Sequence, residues 1–358
     1  MNDNGISAIR TTVSIVAAVL ILAALAVSAV VYLESRDDDD DVNTLVIYSY
    51  DSFESWGLAD AVIPVFEEEY GINVTLRTMG DAGNVMARLA IEKEDPVADL
   101  VIGIDNSMLH KAKDLNLLET YKPDGLSSVD PELVFDPEGY LTPYDYGYIA
   151  IICNGEMMED LSLPYPDSIL DLADPVYEDS IMFIDPVTSS TGSSFLIWAS
   201  AVAEGDRSSF FSDLSSNSFN VYGTWDAMYA AFQAGEAPIA ISYGLDTASE
   251  MMWAEDPDSV TTVTIVPDEE GYRQMEGAGI VNDAGNRDAA EDFLDFMLTP
   301  AFQEKVGYNV MLPVVDGTPV DQIYLDNGEF AGSHVEPDQE TIDENWETWL
   351  SDWEQAFS

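Results

Sequence analysis

The chain has 358 residues, of which 68 are acidic and 12 basic, giving a formal net charge of -56. Carboxylates at this density repel one another in dilute buffer but are tolerated at molar salt, where the screening length is about 3 Å. Spread along the folded part rather than gathered in one tail, they mark a protein of a highly saline environment, similar to those of extreme halophiles, and argue against a nucleic-acid partner, which needs a basic footprint.

Thr11 to Leu33 carries no charge and is long enough to span a hydrocarbon core as a helix. We read residues 1–43 as an uncleaved membrane anchor with its amino terminus inside, followed by an acidic tether from Glu34 to Asn43. The alternative is a cleaved secretory signal, but its best cleavage site, Val27-Ser28-Ala29, is buried in the apolar stretch. No cysteine directly follows the run, which excludes a lipid anchor on cysteine.

From Leu45 onward strand and helix patterns alternate, as in an α/β fold with a parallel or mostly parallel sheet. Leu45 to Tyr48 is a continuous apolar run, the pattern of a strand covered on both faces. At its carboxyl end stand Ser49, Tyr50, Asp51 and Ser52, and in open α/β sheets that edge is where ligands bind. Tyr50 and Asp51 thus read as a cleft wall, or else as the cap of a loop. A helix is expected over Asp60 to Tyr70, closed by Gly71, then a strand over Ile72 to Thr78 and a helix over Asn84 to Glu92. Ala98 to Ile104 is a second buried strand, ending in Asp105, Asn106 and Ser107. Further strands are expected at Tyr148 to Cys153, Ile181 to Ile184 and Pro238 to Tyr243, with a helix running to Ala201.

Roughly 315 residues exceed what one core serves, so two lobes are expected. Residues 44–144 with 245–300 form the first, 145–244 the second, and helices in 301–358 pack on both. Pro143 to Gly147 and Ser242 to Asp246 are the expected crossings, with a ligand between the lobes. Ile342, Trp346, Trp349, Leu350, Trp353 and Phe357 recur at helical spacing, as the buried face of a docked helix or as a partner surface.

Catalytic signatures are missing: there is no G-x-S-x-G, no G-x-x-x-x-G-K and no H-E-x-x-H, and Gly277 with Gly279 follows no clean strand. The single cysteine, Cys153, closes no intrachain disulfide and reads as core. His110 and His334 offer no catalytic base, and no cofactor or metal site is expected. An extracellular hydrolase remains the alternative class. The informative run is Thr188-Ser189-Ser190-Thr191-Gly192 ahead of a helix, since hydroxyls and free N–H groups at a helix amino terminus suit an anion; an N-cap needs only one of them. Tyr50, Trp56, Tyr144, Tyr146, Trp225 and Tyr243 fall at strand ends or loops, where aromatic rings are apt to meet a ligand.

With these segments assembled, the chain resembles the periplasmic thiamine-binding proteins of bacterial ABC importers, in a version like that of haloarchaea. Matching segments are Tyr48 to Phe53 with Trp56-Gly57, Gly103 to Asn106, Pro143 to Tyr148, Asp185-Pro186 with the hydroxyl run, Thr224-Trp225 with Tyr229, Gly235-Glu236, Ile241 to Tyr243 and Phe293 to Phe302, in family order between Leu45 and Pro313. The resemblance implies a two-lobed type II periplasmic-binding-protein fold that closes on thiamine or its phosphate esters and delivers them to a membrane permease, from the extracellular face and without turnover. It implies that Tyr50, Asp81, Trp225 and Tyr243 line the ring site, with Ser189, Ser190, Thr191 and Gly192 at the phosphate end. Asp81 and Asp145 are the expected partners of ring nitrogens or amines. Two positions depart from the family pattern: Ser249 and Val310 stand where aromatics are found, and Trp253 or Tyr308 are the candidate replacements. Another small solute, or ferric iron carried on tyrosines, is the alternative ligand; no adjacent Tyr-Tyr pair supports iron.

Overall fold

In this computed structural model residues 44–358 are described, apart from 204 and 269. The membrane anchor expected at Thr11 to Leu33 and its tether therefore lie outside the described residues. Among those described, no helix is long and apolar enough to cross a membrane.

The strands are β1 (Thr44–Ser49), β2 (Asn73–Thr78), β3 (Leu100–Asp105), β4 (Leu118–Glu119), β5 (Thr142–Asn154), β6 (Ile181–Ile184), β7 (Ser218–Tyr222), β8 (Ile239–Tyr243), β9 (Thr262–Ile265), β10 (Tyr272–Val281) and β11 (Leu312–Pro313). They pair in the order β2-β1-β3-β10-β5-β8-β6-β7, with β4 on β10 and with β9 and β11 on β5. The sheet is mixed, which corrects the mostly parallel expectation. Its flanks are parallel, β1 with β3 and β6 with both β7 and β8. Its centre is antiparallel, because β10 and β5 pair with each other and with β3 and β8 respectively.

The apolar run of β1 is explained by burial on both faces. Leu45 and Ile47 pack with the helices Leu58–Tyr70 and Arg287–Met297, whereas Val46 and Tyr48 pack with the helix Ala82–Glu92. A separate apolar core surrounds Ile149 to Cys153 of β5, β6 and β8, covered by the helices Ser190–Val202, Arg207–Asn217 and Trp225–Gln233. The carboxyl-terminal helix Gln339–Ala356 closes that core with Ile342, Trp346, Trp349 and Trp353 buried, so the tryptophan stripe is a docked face. Cys153 lies in the same core, and burial pushes its thiol up to about 12.

Two elements differ from expectation at the centre. Strand β5 begins at Thr142, so Pro143 to Gly147 is strand rather than loop, and the same strand pairs first with β10 and then with β8. Strand β10 runs through Gly277 and Gly279, where no strand was legible. Opposite Pro143, which has no N–H to donate, the β10 register shifts between Glu276 and Gly277, and on the β3 side it shifts between Gly277 and Ala278. Such bulges re-aim a side chain. Here the side chain is Glu276, at the middle of the molecule.

Candidate ligand-binding cleft

Between the two cores lies a narrow cleft. Strand β1 delivers Tyr50 to it. The turn after Tyr50 is a short helix, Asp51–Ser55, and its first residue points away: exposed Asp51 accepts a hydrogen bond from the Gly80 N–H (2.9 Å) and so fixes the loop that leads to Asp81. Gly103 of β3 holds φ of 100°, and a Cβ there would meet the Tyr50 ring at 2.2 Å, so glycine is needed for the tyrosine to lie flat against the strand.

The opposite wall is aromatic. Trp225 opens its helix, stacks on Tyr229 with ring centroids 4.8 Å apart and donates its indole N–H to Ser242 Oγ (2.8 Å). Trp56 reaches across to it, with centroids 5.3 Å apart, and donates to Asp226 (3.4 Å). Tyr243 closes the wall at 5.9 Å from Trp225, its hydroxyl sharing a hydrogen bond with Thr191 Oγ1 (2.7 Å) and donating to Gln274 (3.2 Å). These rings are held by one another and by named acceptors, so they are pre-placed.

At the floor is Glu276. Its Oε2 accepts from Tyr50 (2.7 Å) and from Tyr144, and its Oε1 from Gln274 (3.1 Å). Burial pushes this carboxyl up to about 7 against the pull of the tyrosine hydroxyls, and the Asp81 charge adds to the rise. Asp145 is fully buried behind it. One oxygen accepts from Asn309 Nδ2 (3.2 Å), while Oδ1 has no hydrogen-bond partner. Burial first, and the Glu276 charge second, hold its pKa well above the ordinary carboxylate range. No basic side chain lines the cleft among the described residues. The site is thus anionic, aromatic and short of a counter-charge.

Asp81 does not simply face the cleft. It is the N-cap of the helix Ala82–Glu92, and its two oxygens accept from the N–H groups of Ala82 (2.7 Å), Ser190 (3.4 Å) and Trp225 (3.1 Å). Burial raises its pKa, and these N–H donors together with the Ser189 hydroxyl pull it back.

The structure thus brings Tyr50, Trp56, Asp81, Ser190, Thr191, Trp225 and Tyr243 to one cleft. It leaves the other candidate residues outside the lining, each for a visible reason. Asp105 accepts from Ser107 N–H and Oγ, from Met108 N–H and from Ser194 Oγ, a buried cap pushed up to about 7 by burial. Asn106 bonds the β10 backbone at Arg273 O and Met275 N–H. Tyr144 stands behind Tyr50, and half-buried Tyr146 packs beside Val129, Met275 and Val314. Ser189 is the N-cap, accepting from Gly192 N–H (3.4 Å). Gly192 does allow a close approach, but to its own chain: a Cβ there would lie 2.6 Å from Ile184 O. Of the two departures, Val310 lines the cleft with φ of 58°, strained for a β-branched residue, while Ser249 is buried on the helix Asp246–Trp253. Trp253 and Tyr308 stand near each other, 6.0 Å between ring centroids, but line a neighbouring cavity and do not enter the cleft. Ser52, at the end of the first strand, also lines the cleft, as do Glu276, Asn309 and Met311, which carried no sequence signal that separated them.

Two α/β lobes with a ring-walled cleft between their cores define a solute-binding protein, and the chain belongs to the family described as "Bacterial extracellular solute-binding protein", which it matches over residues 95–331. It is 27% identical over 321 residues to the "Thiamine-binding periplasmic protein" of Salmonella typhimurium, covering 88% of this chain and 93% of that one. With the "Thiamine-binding periplasmic protein" of Haemophilus influenzae it shares 30% over 278 residues, 76% and 80% of the two chains. A solved structure described as "Periplasmic thiamin binding protein" superposes with a TM-score of 0.78 at 26% identity, covering 88% of this chain and 96% of that one. The apo ferric ion-binding protein A of Pasteurella haemolytica shares the fold at a TM-score of 0.70 and 19% identity, over 88% and 98% of the two chains.

Proposed function

We propose that this protein captures thiamine at the extracellular face of the cell, held there through residues 11–33, and passes it to the permease of an ABC importer in a saline environment. The observation that carries the reading is the pairing of four aromatic rings with buried carboxylates that have no basic partner in the cleft. An uncompensated buried carboxylate is costly, and a flat cation supplies both a counter-charge and a face for the rings. The similarity to thiamine-binding periplasmic proteins adds independent support. Binding without turnover fits a family of solute-binding proteins.

Ferric iron suits the cleft less well. Tyr50 and Tyr144 both give their hydroxyl hydrogens to Glu276, and burial holds the pKa values of Tyr50, Tyr144 and Tyr243 well above the phenol range, which opposes the phenolates that iron requires.

Trp225→Ala is expected to weaken thiamine binding at least about tenfold, since a desolvated cation on an aromatic face contributes about 2 kcal/mol. Quenching of tryptophan fluorescence by thiamine in molar salt, compared between the wild type and this variant, measures the loss; equal affinities would remove the aromatic wall from the binding account.

A further inference from the structure

We infer that Asp246 and Glu250, one turn apart on the helix Asp246–Trp253, are positioning residues for the aromatic wall: each carboxylate holds the polar edge of one ring of the Trp225–Tyr229 stack, and their negative charge strengthens the hold of that stack on a cation. This inference rests on the thiamine reading above. Trp225 and Tyr229 lie nearly parallel, 19° between planes and 4.8 Å between centroids, and of the two only Trp225 lines the cleft. Both rings are tied to that one helix. The Tyr229 hydroxyl donates to Glu250 Oε1 (2.9 Å), and Gln233 Nε2 donates to the same oxygen (2.5 Å). The Trp225 indole N–H donates to Ser242 Oγ (2.8 Å), which leaves the Ser242 hydroxyl hydrogen to be given onward. Its recipient is Asp246, buried as Ser242 is. One oxygen of that carboxylate accepts the Tyr243 N–H (3.1 Å), while the other, Oδ1, is buried and receives no N–H. Burial pushes Asp246 up to about 7, the Ser242 hydroxyl bond pulls it down, and the Glu250 charge adds to the rise.

Helix stability alone does not favour this arrangement, because like charges one turn apart destabilise a helix and burying a carboxylate costs free energy. What the two charges gain lies in the rings. A carboxylate that accepts from a phenol, or from an indole N–H through one hydroxyl, polarises the chain of bonds toward the ring. The face of a more electron-rich ring attracts a cation more strongly. The same bonds fix the tilt of each ring, so the stack is placed before a ligand arrives.

The test is calorimetric titration of the wild type, Asp246→Asn and Glu250→Gln in molar salt at pH 8, with thiamine and with its neutral thiophene analogue, in which carbon replaces the cationic ring nitrogen. Both substitutions keep an oxygen for the bonds they accept, and thermal melting verifies that each variant folds. Ser242→Ala cuts the same link and stands in for Asp246→Asn if that variant does not fold. The wild type is expected to bind thiamine at least about tenfold more tightly than the neutral analogue. Each variant is expected to narrow that ratio by weakening the cation more than the analogue, whereas loss of ring placement alone weakens both alike. A ratio unchanged in both variants overturns the inference, and a ratio unchanged in one removes that residue from it. The indole N–H resonance of Trp225, assigned by its absence in Trp225→Phe, gives a readout that needs no ligand. It is expected to move upfield in Asp246→Asn as the hydrogen bond weakens, and a resonance that stays in place overturns the link through Ser242. If thiamine fails to bind the wild type, the thiamine reading falls and this resonance alone decides whether Asp246 holds the ring.

Discussion

Glu276→Gln is expected to weaken thiamine binding about a hundredfold at pH 8 and to flatten its pH dependence. Removing one partner of a buried charge pair costs about 2–5 kcal/mol, and each factor of ten in affinity corresponds to about 1.4 kcal/mol. The pH argument follows from the position of this carboxyl. Burial pushes it up to about 7, so at pH 8 it is mostly charged and at pH 5 mostly protonated. A cation binds the charged form, so a proton must leave on binding at low pH, and affinity falls as pH drops below about 7 by up to about tenfold per unit. The glutamine variant lacks that proton, and its affinity is expected to match that of the wild type near pH 5. Calorimetry of both proteins at pH 5 and pH 8 is the measurement; a wild-type affinity that does not change across this range would mean that Glu276 does not meet the cation.

The ligand-free protein is expected to melt at least about 5 °C higher at pH 5 than at pH 8 in molar salt. The sign comes from groups whose folded pKa values are raised. Glu276, Asp105 and Asp246 are each pushed up to about 7, chiefly by burial, and Asp145 is raised by burial and by the Glu276 charge. The folded state therefore holds these protons more tightly than the unfolded chain. Their contribution is full below the ordinary carboxylate range near 4 and is lost as pH rises through about 7. A protein stabilised by ion-paired carboxylates would show the reverse, so a melting temperature that rises from pH 5 to pH 8 contradicts the burial pattern. Glu276→Gln should remove part of the slope.

What the sequence made legible follows from how each residue earns its place. Tyr50, Trp225 and Tyr243 sit at strand ends or helix starts, and Ser190 and Thr191 follow a strand in a hydroxyl run, so local pattern alone pointed at them. The strand β1 was equally plain, because both of its faces are buried and Leu45 to Tyr48 form an unbroken apolar run. Strand β10 was not. Its residues Arg273, Gln274 and Glu276 are polar yet buried against Asn106, Ser190 and the tyrosines of other elements, and no local window reveals partners more than eighty residues away. The mixed sheet was missed for the same reason: its antiparallel centre depends on β10 pairing with β3 and β5, a long-range event. Asp105 and Asn106 stood at a strand end as Tyr50 does, and only the structure shows their polar atoms spent on Ser107, Ser194 and the β10 backbone. In a chain with 68 acidic residues, no composition argument could separate Glu276 from the solvated carboxylates.

The most direct test of the central claim is calorimetric titration of residues 44–358 in molar salt at pH 8, with thiamine, ferric citrate and a hexose phosphate offered in turn. Thiamine is expected to bind one to one with a Kd below about 1 μM, with no heat from the other two; heat from ferric citrate or the sugar phosphate and none from thiamine would contradict it.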